Sequence, residues 1–159
     1  MVKMKKILKT SLLLAPLALF VSTAHNADAA MTSSGVMIVV PEYVKAEEIV
    51  KKGDFANSID LLKETLRQYP GHASAYNLLG YVHRRLGKFD EAEKYYNSAL
   101  TINPNHIGTL SYMGQLFIQT GRPEKAKALL EHLANVCQDG CEELDQLQKA
   151  VTTGVAGNY

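Results

Sequence analysis

Two cysteines and, beyond the first thirty residues, four histidines have the widest chemical reach in this 159-residue chain. Cys137 and Cys141 flank Gln-Asp-Gly. The spacing C-x3-C is neither the C-x2-C of thioredoxin-like redox enzymes nor the C-x2-C-H of haem attachment, and no βαβ pattern surrounds it. A structural disulfide is expected, worth about 2 kcal/mol for so short a loop. Cycling of the same pair as a thiol-disulfide couple is the competing reading. His72, His83, His106 and His132 show no H-E-x-x-H or other paired ligand spacing, so no metal and no cofactor is expected. No glycine elbow surrounds a serine, no phosphate-cradling glycine loop precedes a helix, and Glu91 and Glu93 fall on solvent faces, so the chain reads as no enzyme. Arg84 and Arg85, with Tyr81 beside them, have another potential. A guanidinium offers donors in a fixed fork that suits a carboxylate or a peptide backbone, and the tyrosine adds a flat amphipathic contact. The competing reading is a solvated pair of arginines on a polar helix face.

These residues sit in a chain that is 47% hydrophobic and 21% charged, the composition of one ordinary soluble domain. Its first thirty residues differ from the rest. Lys3, Lys5, Lys6 and Lys9 precede an apolar run from Leu12 to Val21, too short to cross a bilayer as a helix. Ala27 and Ala29 then stand at the −3 and −1 positions of a cut before Ala30. The expectation is a cleaved signal peptide, residues 1–29, and a periplasmic or secreted mature chain without stable membrane insertion. Export would place both cysteines where they oxidise. Removal of the lysine-rich segment leaves a slightly acidic protein, which argues against nucleic acid as a partner.

The remainder repeats itself every 34 residues. Gly53, Gly87 and Gly121 align; so do Phe55 and Phe89, Pro70 and Pro104, His72 and His106, Gly80 and Gly114, and Ala92 and Ala126. The implied repeats are 39–72, 73–106 and 107–140. Each holds two amphipathic helices around a glycine-containing turn. In the middle repeat the helices run from about Ala73 to Leu86 and from Phe89 to Ile102. Tyr76, Leu79, Val82 and Leu86 form the buried stripe of the first, while Ala92, Tyr96 and Ala99 face it from the second. Gly80 sits inside a helix, where glycine costs about 1 kcal/mol relative to alanine. Close contact between the paired helices, with Ala92 as the facing small surface, would offset that penalty.

Tyr76, Leu79, Gly80, Ala92, Tyr96, Ala99 and Pro104 resemble the tetratricopeptide repeat signature, W-x2-L-G-x2-Y...A-x3-F...P. Tyr76 stands for the usual Trp and His83 for the usual Tyr. The third repeat keeps Gly114, Phe117, Gly121, Ala126 and Leu130, with Leu110 and Met113 leading and Gln138 where Pro is usual. The first is weaker: Glu42, Lys45 and Ala46 lead, and Ile49, Gly53, Phe55, Ser58, Leu62 and Pro70 hold the frame. CQDGCEELDQLQKAV resembles, more narrowly, the closing segment of small exported proteobacterial proteins of this family.

The resemblance implies an all-α solenoid of three helix-turn-helix repeats, wound as a right-handed superhelix. Leu144, Leu147 and Val151 then mark a capping helix within residues 141–159, with acidic residues in its first turn. Residues 30–38 are an extension, either packed on the first repeat or a linker. The resemblance further implies a concave groove lined by the first helix of each pair. Its register selects Tyr43, Glu47 and Lys51, then Asn77, Tyr81, Arg84 and Arg85, then Ser111, Gln115 and Gln119. The clamp that some family members use for acidic C-termini is absent, because Tyr43, Glu47, Leu78, Gly108 and Tyr112 occupy its positions. The expected function is a non-catalytic module holding a protein or peptide partner. A self-associating scaffold, a homo-oligomer docked through the apolar flanks, is a further alternative.

Overall fold

The structure is a computed structural model and describes residues 30–31 and 37–157; the expected signal segment, 1–29, lies outside them. Seven helices follow one another: α1 (Pro41–Lys51), α2 (Phe55–Gln68), α3 (Ala73–Arg85), α4 (Phe89–Ile102), α5 (Ile107–Gln119), α6 (Pro123–Val136) and α7 (Glu142–Thr153). Two short strands precede them, β1 (Ala30–Met31) and β2 (Met37–Ile38), paired antiparallel with Ala30 opposite Ile38. Val39 is exposed beside this ladder, whereas Val40 is buried against α1 and α2, so the run ends by packing on the first helix pair.

Each turn within a helix pair is closed by the same backbone device. Gly53, Gly87 and Gly121 adopt left-handed φ values of 80°, 74° and 70°. This conformation lets the following amide reach back five residues: Asp54 donates to the Ile49 carbonyl, Lys88 to His83 and Arg122 to Phe117, at 3.2, 2.9 and 2.7 Å. These bonds satisfy carbonyls that the helix end would otherwise orphan. The 34-residue glycine period is thus a period of helix stops.

The histidine period marks helix starts. His72 Nδ1 accepts from the Ala75 amide at 3.2 Å and His106 Nδ1 from the Thr109 amide at 3.1 Å, capping α3 and α5. Imidazole replaces the usual Ser, Thr, Asp or Asn at this position. An accepting Nδ1 requires the neutral ring with its proton on Nε2, and His106 Nε2 lies 3.0 Å from Ser74 Oγ, where that proton is donated back to α3. One side chain therefore caps α5 and ties it to its neighbour. His83 instead occupies the core, 2.9 Å from the Leu79 carbonyl, with its ring 4.9 Å from that of Tyr95. His132 Nε2 lies 3.0 Å from Asn105 Oδ1.

The core is a chain of clusters. Tyr43, Ala46, Leu62, Leu79 and Val82 join α1, α2 and α3; Tyr96, Met113, Leu116 and Ala126 join α4, α5 and α6; Leu110, Leu133, Cys137 and Leu147 join α5, α6 and α7. Each helix pair buries its apolar face only against its neighbours, which is the physics of a solenoid. Two positions differ from the expected stripe: Tyr76 is half-buried and Leu86 lies exposed at the cap of α3. The internal glycines receive a neighbour's side chain. A Cβ at Gly80 would lie 2.5 Å from Cδ1 and Cε1 of Tyr96, and one at Gly114 would lie 2.5 Å from Cδ1 of Leu147. The facing group at Gly80 is therefore the Tyr96 ring rather than Ala92, because the ring needs the space that the missing side chain leaves. Gly114 admits α7, not the second helix of its own pair.

Cys137 ends α6 and Cys141 precedes α7; their sulfurs meet at disulfide distance, with the Cα atoms 5.8 Å apart. Gly140, at φ 85°, turns the chain between them. The pair closes the corner that sets α7 on α5.

Gly80→Ala gains about 1 kcal/mol of helix propensity and loses about 1–3 kcal/mol to overpacking, so the overpacking governs. A fall in urea midpoint is expected, and an unchanged or raised midpoint contradicts the contact. Gly114→Ala meets mobile leucine methyl groups and is expected to cost less. His106→Ala is expected to destabilise by about 1 kcal/mol, and His106→Asn to restore most of the lost capping energy. Replacing Cys137 and Cys141 together by Ser is expected to cost about 2 kcal/mol in thermal unfolding, a loss reproduced by a reductant on the native chain.

Candidate binding groove

The inner wall is formed by α1, α3 and α5, three first helices side by side. Six of the ten residues expected there line one open cleft of about 550 Å³: Tyr43, Glu47, Lys51, Asn77, Tyr81 and Arg85. Phe55, Leu78 and Tyr112 complete its aromatic and apolar lining. Phe55 escapes the family register because it belongs to a second helix, and its place at the start of α2 puts it at the cleft edge. Its aromatic type in a turn otherwise rich in polar residues was the only signal available.

Arg85 is the most constrained of the cleft cations. Its guanidinium carbon lies 4.9 Å from the Phe55 ring centroid, and Nη1 donates to the Tyr81 hydroxyl at 2.8 Å. The Tyr81 ring is itself flanked by Phe55 and Tyr112, with centroids 6.0 and 5.2 Å away. Stacking and hydrogen bonding hold the fork in place, which reduces the side-chain entropy lost on contact. Asn77 Oδ1 accepts from Thr109 Oγ1 at 3.1 Å and links α3 to α5 at the cleft floor. Burial and the neighbouring Tyr81 push the Tyr112 phenol above its ordinary range. Glu47 and Lys51, one turn apart on α1, place both signs of charge at the rim.

The other four expected residues are gathered elsewhere. Arg84 is 2% exposed; its Nη1 donates to Gln119 Oε1 at 3.0 Å and to the Gly157 carbonyl at 3.2 Å. Neither an open groove arginine nor a solvated one, it lies beneath the chain that follows α7. Gln115 is fully buried and accepts from the Gly157 amide at 2.6 Å. Ser111, also buried, donates to the Glu143 carbonyl of α7 at 3.1 Å. The wall of α5 is thus covered at Ser111 by α7 and at Gln115 by the segment 155–157. The family register assigns each helix an inward face but carries no information on what covers it.

Tyr96, behind this cluster, is fully buried. Burial drives its phenol well above the ordinary range, and the nearby Arg84 guanidinium pulls against that shift. Among the described residues no three His, Cys, Asp or Glu side chains gather into a metal-holding group, and no helix is long and apolar enough to cross a membrane. The Cys pair stands at the corner before α7 and is not among the residues lining the cleft.

Comparison with known proteins agrees with this architecture. Two sequence-family profiles described as Tetratricopeptide repeat match residues 43–107 and 83–151. The human protein O-mannosyl-transferase TMTC2 is 30% identical over 82 residues, covering 50% of this chain and 10% of that protein. The chain therefore spans about a tenth of that relative's length. Among solved structures, the first TPR of Spaghetti (RPAP3), bound to the HSP90 peptide SRMEEVD, superposes with a TM-score of 0.63 at 22% identity, covering 73% of this chain and 91% of that one. The TPR2B domain of yeast Sti1, from a complex with Hsp70, gives 0.65 at 20% identity, covering 70% and 94%. At such identities the superpositions establish the fold. With matching profiles running from the first helix pair through α7, the chain belongs to the tetratricopeptide repeat family.

Proposed function

We propose that this protein is a non-catalytic binding module, exported to the periplasm or beyond, that holds a short segment of a protein or peptide partner in the cleft between α1 and α3. The observation that carries the proposal is the preset Arg85 fork, held by Phe55 and Tyr81 at the mouth of a cleft of about 550 Å³. That volume lies in the range of small-ligand and side-chain pockets. Aromatic walls supply contact area at low entropy cost, and a fixed guanidinium supplies orientation, a combination typical of binding hot spots. Solved domains of the same fold carry an HSP90 peptide in one case and come from an Hsp70 complex in another, which supports a peptide as the guest here. Export is supported by the lysine-rich, then apolar, leader and by the Cys137 and Cys141 pair, which suits an oxidising compartment.

Capture from a periplasmic extract by the immobilised chain tests the reading. Tyr81→Ala and Arg85→Ala are each expected to reduce the retained partner about tenfold, equivalent to about 1.4 kcal/mol. Gln148→Ala, on the exposed face of α7, is expected to leave capture unchanged. Equal retention by both cleft variants and the native chain would rule out the cleft as the site.

A further inference from the structure

Gly154 ends α7 in the left-handed conformation, at φ 69°, and sends the chain back across the inner faces of α5 and α3. There both main-chain groups of one residue are read by side chains. The Gly157 amide donates to Gln115 Oε1 at 2.6 Å, and its carbonyl accepts from Arg84 Nη1 at 3.2 Å. Gln119 Oε1 braces the same Nη1 at 3.0 Å. An amide and a carbonyl of one residue, satisfied together, make up the recognition unit that a strand edge offers an extended peptide. Here two side chains supply it, with Gln119 bracing one of them.

The unit also has donors to spare. Arg84 Nε and Nη2 and Gln115 Nε2 are buried without hydrogen-bond partners, although Arg84 is 2% exposed and Gln115 fully buried. Buried donors are ordinarily satisfied, and a guanidinium brings five of them. The Gly157 carbonyl of the crossing segment meets Nη1 rather than these donors, while Val155 in the same segment remains 68% exposed. Among the described residues, two hydrogen bonds to Gly157 and the partial burial of Ala156 and Gly157 hold the segment.

We propose that Arg84, Gln115 and Gln119 form a main-chain-reading subsite for an extended peptide, and that residues 155–157 of the same chain fill it as an internal competitor. A partner segment running beyond the open cleft displaces them by offering more acceptors to Arg84. The inference deepens the groove reading and rests on it only in treating this helix face as a peptide surface.

The test uses the full chain and a fluorescent peptide of its own last eight residues, TTGVAGNY. Gly157→Pro removes the amide that Gln115 accepts and lies outside every helix. Fluorescence polarisation is expected to show the peptide binding Gly157→Pro at least tenfold more tightly than the native chain, and adding Arg84→Gln is expected to abolish that binding. In the native chain, amide exchange at Gly157 is expected to be at least tenfold slower than in the free peptide. This measurement needs no variant and holds even if the doubly substituted chain fails to fold. Equal or absent binding to the native chain and Gly157→Pro, binding that survives Arg84→Gln in a folded chain, or exchange at the free-peptide rate would each overturn the proposal. None of these outcomes depends on Tyr81 or Arg85, so failure of the cleft in partner capture remains a separate result.

Discussion

The ring of Tyr96 lies against the backbone of α3 at Gly80, because nothing there holds it off. Much of the architecture depends on that contact. It sets how closely α3 and α4 approach, and the pair of helices is the unit from which the stack is built. A propensity penalty of about 1 kcal/mol is the smaller quantity beside the burial of a whole aromatic side chain. Gly114 applies the same economy one period later with a different guest, Leu147, and so converts a contact within a pair into a seat for the closing helix.

Repetition is the part of this fold that a reading of residues reaches most directly. Glycines that stop helices must recur wherever the turn recurs, since a left-handed residue with a side chain is strained whatever surrounds it. Gly53, Gly87 and Gly121 therefore announced the turns. The histidines announced something that was not understood. Their period was visible, but imidazole is an unusual helix cap, and only the geometry of Nδ1 against the Ala75 and Thr109 amides shows why His72 and His106 recur.

The groove was legible in direction and illegible in accessibility. Helical register fixes which residues face inward, so Tyr43, Asn77, Tyr81 and Arg85 were found together. Register says nothing of a segment that returns from far along the chain, and Arg84 was separated from Arg85 by exactly such a return: the two are neighbours in sequence, one in the cleft and one beneath Gly157. The cover arises from a contact between residues 73 apart, which no local pattern encodes.

The corner at Cys137 and Cys141 acquires meaning from what lies downstream of it. α7 is a short lever of twelve residues whose base is pinned at that corner and whose far end releases residues 155–157 over Arg84. A rotation of the lever at its base by a few degrees moves its tip by roughly an ångström, given a rise of about 1.5 Å per residue. Hydrogen bonds tolerate little of such displacement. A sulfur–sulfur link at one end of the last helix thereby joins the seat of Leu147 on Gly114 in aligning main-chain contacts at its other end.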